Sequence, residues 1–581
     1  MSWFLPHLDD SPKERQEALD KARQEYQFRY DTYVSPLAIC KEVPKRDTIL
    51  PLWLVKVAES ALTILANHIE LEADKKTRDE HWSRLEHYKK HMGTSSFKLG
   101  EVLKYLEESI IKATRDSGNS LEEYSDLFRA IKLPPIHRYF REDKIFAWMR
   151  VAGPNSVLIE RIQQLPDNFP VTDAMYRSAM LGDSLDAAKA EGRLYLVNYA
   201  ALAGLEAGQW DGVQKYIYAP LALYAVDKTT KDLMPVAIQC EQKPGPDNPI
   251  YTPKDGFNWM IAKTIVEVAD GNFHEAITHL GRTHLLVEPF VVTTHRQLAS
   301  RHPLYRLLMP HFEGTLNINK SAVEDLIAPK GKVDQVMAPE IESVWKATVE
   351  GVESYLFDKA WLPKTFEARG VDDKELLPHY PYRDDGMLYW NAIHEWVSDY
   401  VGIYYDSDAD LAKDTEVAGW FQEVVAENGG RIKGLDGDTQ SRDYLSEVLT
   451  MVIFTASCQH AAVNFPQYDL MSYVPNVPGA LYKPRPTDLT GATEQEWLNM
   501  LPAIDQAQVQ TEFLYLLGSV HYTKLGHYGP FHFRDRKVRS ALDQFQDQIE
   551  QNGKTIEARN ATRLMPYDFL MPDGIPQSIN I

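Results

Sequence analysis

The sequence predicts a mainly α-helical chain built round one large core, and three observations predict it. Long amphipathic stretches recur at roughly residues 50–70, 97–115, 259–297, 340–358, 387–405, 441–465 and 504–524, each with apolar residues at three-and-four spacing. Alternating strand patterns are few and short. No internal repeat or low-complexity tract divides the 581 residues.

From the N-terminus, the start MSWFLPHLDDSPKERQ has neither a basic region nor an apolar run of signal-peptide type. Residues 1–45 read as a helical extension, with Asp9–Tyr33 charged and helix-favouring behind exposed-looking Trp3, Phe4 and Leu5. That extension is expected either to dock on the core or to touch a membrane with its aromatic tip. The remainder, 46–581, reads as one helical unit round a single core. Its most apolar run, LPLWLVKVAESALTILA (50–66), contains Lys56 and Glu59 and is too short to span a bilayer. In 340–358, Ile341, Trp345, Val349, Val352 and Leu356 line one helix face. Connectors such as PGPDNP (244–249) and PNVPG (475–479) carry turn chemistry.

Composition narrows the function. With 83 acidic and 62 basic residues the net charge is −21, which argues against a nucleic-acid binder. Cys40, Cys240 and Cys458 have no metal-binding spacing and read as reduced, cytosolic thiols.

The most informative stretch is FHEAITHLGRTHLLVEPFV (273–291), with His274, His279 and His284 five residues apart. In a regular α-helix that spacing separates neighbouring side chains by about 140° round the axis, so two of them do not share a metal. With 18 histidines in the chain, roughly 0.6 pairs arise by chance at any fixed spacing, so one pair means little and a series of three means more. A π-type widening, in which five residues make about one turn, would put two rings on one face, and Gly281 weakens the regular helix there. The expectation is such a widening near Leu280–Arg282. Two further features stand apart. In SCQHAAVNFPQY (457–468), His460 and Asn464 share a helix face, with Gln467 placed to hold the asparagine. The segment GIPQSINI (574–581) is proline-stiffened and partly apolar; docked beside a metal, the carboxylate of Ile581 would be a ligand.

Together these pieces resemble the lipoxygenases, the non-haem iron dioxygenases of polyunsaturated fatty acids. His274, His279, His284, His302 and His311 match the family's His-x4-His-x4-His-x17-His-x8-His signature. EPFVVTTHRQLASRHPLYRLLMPHFEGTLNIN (288–319), WMIAKTIVEVAD (259–270), DGMLYWNAIHEWVSDYVGIYY (385–405), HAAVNFPQY and GIPQSINI also match. The resemblance implies a large single helical domain with long central helices round a buried metal, of the shorter bacterial type without an N-terminal β-barrel.

Residue by residue, it implies a metal held by His279, His284, His460, the terminal carboxylate of Ile581 and, variably, Asn464, with His274 a neighbour. Iron is implied in preference to manganese, which some members use with a terminal valine. The implied chemistry is hydrogen abstraction by ferric hydroxide from the bis-allylic carbon of a cis,cis-1,4-pentadiene, followed by O2 uptake to a conjugated hydroperoxide. Ala322 stands where alanine goes with S products. Val336 and Met337 match positions setting pocket depth, while Leu326 and Val333 match substrate and oxygen routes. Val477 replaces an arginine of many plant enzymes, which favours tail-first entry and the 13-position of linoleate. Lys320 is a candidate for the carboxylate near the entrance. Glu275 and Gln467 are candidates for a link from the pocket to Asn464, and Cys458 reads as a buried apolar residue. A lipid-hydroperoxide isomerase on the same fold and a non-catalytic lipid-binding protein are the alternatives. The partners implied are a fatty acid and O2, with peripheral membrane contact at Trp3–Leu5 or the 50–66 helix, in a cytoplasmic monomer or weak oligomer.

Overall fold

A computed structural model describes residues 4–47, 51–72, 75–91, 118–520, 523–529, 531–533 and 535–581. The amphipathic stretch at 97–115 and Trp3 lie outside the described residues.

Helix α1 (Pro12–Glu25) is followed by the short pair β1 (Phe28–Arg29) and β2 (Ile39–Cys40). The N-terminal segment docks through one buried cation: Arg15 Nη1 donates to Asp9 Oδ2 at 2.9 Å and Nη2 to Glu416 Oε2 at 2.8 Å. Leu5, expected to be exposed, is buried in the core, because the Arg15 clamp and the Phe4 N–H bond to Arg301 O draw the tip inward. Helix α2 (Pro51–Leu71) and α3 (Asp143–Ala152) follow.

Among the described residues no strand exceeds seven residues, yet β3 (Glu160–Arg161), β4 (Leu194–Asn198), β7 (Leu221–Val226), β8 (Leu233–Gln239) and β9 (Ile250–Tyr251) form one antiparallel sheet. The hairpin β5 (Gln209–Trp210) and β6 (Val213–Gln214) stands apart. Leu221, Leu223 and Ala225 of β7 face a small cluster with Tyr176 and Leu185, while Ala222, Tyr224 and Val226 face the main core. Burial on both faces turns β7 into an unbroken apolar run, LALYAV, which hides the period of two.

The rest is helical. Helix α4 (Phe257–Phe273), a π segment His274–Leu285 and α5 (Leu286–Gln297) form one continuous buried rod. Then come α6 (Thr315–Ser321), a π segment Ala322–Leu326, α7 (Lys332–Val336), α8 (Ile341–Glu353), α9 (Pro381–Tyr404) and α10 (Thr415–Val425). Asp414 caps α10 by accepting from Glu416 and Val417 N–H. A second rod, Arg442–Met471, joins α11 (Arg442–Phe454), a π segment Thr455–Gln459, α12 (His460–Asn464) and a π segment Gln467–Met471. It is long and apolar enough to cross a membrane, but 94% of its most apolar window is buried inside the protein. Helices α13 (Ile504–Ser519) and α14 (Arg539–Asn560) complete the fold.

Candidate metal centre and substrate cavity

The two rods meet at their π segments. Between α4 and α5, the Leu286 N–H donates to Gly281 O, a five-residue step that replaces the usual four. Five residues then make about one turn, and His279 and His284 fall on the same side. Their ring centroids are 4.9 Å apart and their Nε2 atoms 3.2 Å. The widening spans twelve residues, His274–Leu285, more than the expected three. On the second rod His460 follows directly after a π segment, with its ring centroid 5.4 Å from that of His279 and 5.0 Å from that of His284. The ligand atoms of the three rings all lie within 4.8 Å of one another.

All three rings are buried, and burial is the first reason they stay neutral. It pushes His284 down to about 3, with neighbouring His279 adding and the Asn319 hydrogen bond opposing. His279 is lowered likewise, against an opposing Glu275, and His460 lies well below its ordinary range. Neutral imidazole is the form that binds a metal. The observation that tests the fit is His460: it is fully buried, and neither Nδ1 nor Nε2 has a hydrogen-bond partner. A buried polar group left unsatisfied costs about 1–3 kcal/mol, and coordination of a metal removes that cost.

The other signature histidines serve the scaffold. His274 commits Nε2 to Val463 O at 2.8 Å, and its Nδ1 lies 3.4 Å from Glu275 Oε2. It therefore holds the two rods together beside the cluster, although His274, Glu275 and His279 also form a group able to take a metal. His302 bonds Asp414 and accepts from Leu304 N–H. His311 Nδ1 lies 2.9 Å from Gln577 O, and Thr315 and Ser578 tie the same tail at Ile579 O and Glu313 O. Ile581 is thus fixed, buried against Val57 and Val520, and its main chain lies beside His460, where it opposes the fall in that ring's pKa.

Asn464 is held at both ends of its amide: Gln467 Nε2 donates to its Oδ1 at 3.0 Å, and its Nδ2 donates to Leu517 O at 2.8 Å. Glu275 takes a different place from the expected link to Gln467. Its Oε2 sits 3.8 Å from His279 Nδ1 as well as beside His274; burial would raise its carboxyl, but these contacts hold it well below the usual range. Two supports were missed from sequence. His284 Nδ1 lies 2.8 Å from Asn319 Oδ1, and Asn319 Nδ2 donates to Glu288 Oε2 at 2.8 Å. Glu288 and Asn319 bound the 288–319 motif itself, but only their spacing in the fold shows the partnership.

An apolar cavity of about 690 Å³ opens onto His279, His284 and Ile581. That volume suits a ligand with a long hydrocarbon chain. Ala322, Leu326, Val333 and Met337 line it, together with Leu280, Phe513 and Leu516. Val336 is buried but is not on the wall. Lys320 is also displaced: it lines a separate surface pocket and faces Glu42 at 3.6 Å and Glu324 at 3.9 Å. The cations at the cavity are Lys330 and Lys332 instead. Their neighbours Ser321 and Asp325, like Lys330, are exposed and mark the mouth.

Residues 42–566 match the family model described as Lipoxygenase. The chain belongs to the lipoxygenase family. This lipoxygenase is 43% identical over 484 residues to the linoleate 9/13-lipoxygenase of Pseudomonas aeruginosa, covering 80% of this chain and 70% of that one. It is 33% identical to the hydroperoxide isomerase ALOXE3 of Homo sapiens, covering 80% and 66%. Among solved structures it resembles a lipoxygenase crystallised anaerobically with arachidonate, at TM-score 0.87 and 31% identity, covering all of this chain and 84% of that one. The coral 8R-lipoxygenase gives 0.86 and 32%, with 100% and 83% covered.

Proposed function

We propose that this lipoxygenase is an iron-dependent dioxygenase of polyunsaturated fatty acids of the linoleate, linolenate and arachidonate class. The observation that carries the reading is the convergence of three neutral imidazoles, one of them, His460, with both nitrogens unpartnered, while the other two, His279 and His284, open onto an apolar cavity. His279, His284, His460 and the main-chain carboxylate of Ile581 would hold iron, with Asn464 Oδ1 as a variable further donor. Bound iron supplies removal of a hydrogen atom from the bis-allylic carbon, after which O2 adds to the pentadienyl radical. The protein's own residues exclude water and hold the chain in register: Leu280, Leu326, Val333 and Phe513 offer it only apolar surface. Linoleate in air gives the direct test. Conjugated diene should appear with equal O2 uptake; loss of an added hydroperoxide without O2 uptake would instead favour the isomerase chemistry that the ALOXE3 relative's name carries.

The direction of entry follows from charge. At the inner end the one ionised side chain on the wall, among the described residues, is Glu275, which would repel a carboxylate, whereas at the mouth Lys330 and Lys332 outnumber Asp325. Neither lysine has a carboxylate within 4.0 Å among the described residues. Tail-first entry therefore leaves the substrate carboxylate at the mouth, which favours the 13-position on C18 chains. Replacing both lysines by glutamine is expected to raise KM for linoleate by about 3- to 10-fold with kcat little changed, the scale of two exposed ion pairs. Lys320→Gln is the control and should leave KM unaltered.

Ala322 lies on the cavity wall at the start of its π segment, and its methyl shields one end of the pentadiene from O2. An S product is expected from the wild type. Ala322→Gly should move a large share of product to R, read by chiral chromatography; unchanged chirality would remove Ala322 from the specificity argument.

A further inference from the structure

Lys215 follows β6 and is completely buried. Its Nζ donates to Asp334 O at 2.6 Å and to Met337 O at 2.5 Å. Both acceptors are main-chain carbonyls at the C-terminal end of α7, where a cation is favoured by the unpaired carbonyls and the helix dipole. Among the described residues no carboxylate lies within ion-pair distance of it. The Asp334 carboxylate turns to the other end of the helix, where it accepts from Lys330 N–H. Burial pulls this lysine down to about 8, with Asp334 opposing, so keeping a charge here is costly. A methionine would fill the same volume without that cost. What the ammonium adds is a hold on two carbonyls.

Those carbonyls belong to the segment that shapes the inside of the cavity. Val333 and Met337 line its wall, and Met337 is buried. The same segment is stitched to the β5–β6 region by Gly208 N–H to Ala338 O at 2.8 Å and by Glu340 N–H to Glu206 O. On the other side Asn272 Oδ1 accepts from Ala338 N–H at 3.1 Å, from the rod that carries His279 and His284. Lys215 therefore adds a side-chain tie, beside these two backbone bonds, between an outlying hairpin and the backbone that places Met337 in the cavity.

We propose that Lys215 is a positioning residue that sets cavity depth, and through it which carbon of the pentadiene takes up oxygen. Releasing the two carbonyls lets the Val333–Met337 main chain move and changes how far a chain inserts. The inference rests on the dioxygenase reading, and two measurements keep the two apart. In the first, product from linoleate is resolved by position. Lys215→Met should change the 13-to-9 ratio by about fivefold or more, the scale of one charged hydrogen bond redistributed between two binding registers. Lys215→Arg, which can still donate to both carbonyls, should stay near the wild-type ratio. In the second, hydrogen exchange is followed without substrate. Amides of 335–338 should exchange about tenfold faster in Lys215→Met, since local opening no longer breaks the two bonds. An unchanged ratio with unchanged exchange overturns the proposal, as does an equal shift in the arginine variant. If the wild type forms no hydroperoxide, the dioxygenase reading has failed, and the exchange result alone decides whether Lys215 holds this segment. Should Lys215→Met not fold, Lys215→Gln removes the charge while keeping a shorter donor. A wild-type ratio and wild-type exchange in that variant would count against the proposal just as firmly.

Discussion

His460→Ala is expected to abolish iron retention and O2 uptake together, while leaving the metal-free fold about as stable as before. His460 is the member of the cluster contributed by the second rod, so its loss leaves only the two imidazoles of one rod. Losing an outer group that merely orients a metal ligand costs about 10–100-fold in affinity or activity, and losing the ligand itself costs more. Stability behaves differently. In the metal-free protein both His460 nitrogens are buried without partners, an unmet cost of about 1–3 kcal/mol that alanine removes. That gain offsets part of the cavity the smaller side chain leaves. Iron should therefore raise the wild-type unfolding temperature, by the equivalent of about 4 kcal/mol at a thousandfold excess over its dissociation constant. The alanine variant should show no such rise. Elemental iron, O2 uptake and paired melting curves with and without iron read all three effects. Iron retained at the wild-type level in the variant would overturn His460 as a ligand.

Much of this site is legible in the sequence because a five-residue period is itself a statement about geometry. A regular helix disperses His279 and His284, so a functional pair at that spacing requires a wider turn, and Gly281 marks where it is cheap. The other π segments, at Ala322–Leu326, Thr455–Gln459 and Gln467–Met471, have no comparable signal, because no repeated residue type samples their turns. The five-stranded sheet is hidden for a different reason. Alternation reports one buried face, and β7 buries both. The entrance cation shows a third limit. Lys320 and Lys330 are ten residues apart on either side of a π segment and a turn, and only the path of the chain decides which reaches the mouth. The burial of Leu5 is not legible in the sequence because it depends on Arg15 finding Asp9 and Glu416, the latter some 400 residues away in sequence.

The largest stability effect is expected at a residue with no part in the chemistry. Arg150 on α3 is 1% exposed and neutralises two buried carboxylates of α4: Nη2 donates to Glu267 Oε2 at 2.6 Å, and Nη1 lies 3.2 Å from Asp270 Oδ1. Tyr199 Oη and Asn155 Nδ2 also donate to Asp270, and Asn155 Oδ1 accepts from Thr278 Oγ1 at 2.9 Å. The network thus ends one residue before His279. Arg150→Met keeps an unbranched stem but leaves Glu267 and Asp270 buried without their paired cation, and breaking a buried pair in this way costs about 3–5 kcal/mol. The pH dependence has a definite sign. Without Arg150 the folded-state pKa of Glu267 rises further above its unfolded value, because burial already raises it and the opposing cation is gone. The folded state then binds more protons than the unfolded state, so stability falls as pH rises through the range between the two values. The melting temperature of Arg150→Met should therefore drop more at pH 8 than at pH 5 relative to the wild type. Adding Glu267→Gln, which removes one of the stranded charges, should recover part of the loss and flatten the pH dependence. An Arg150→Met variant that melts with the wild type at both pH values would show that the carboxylates are solvated or paired elsewhere.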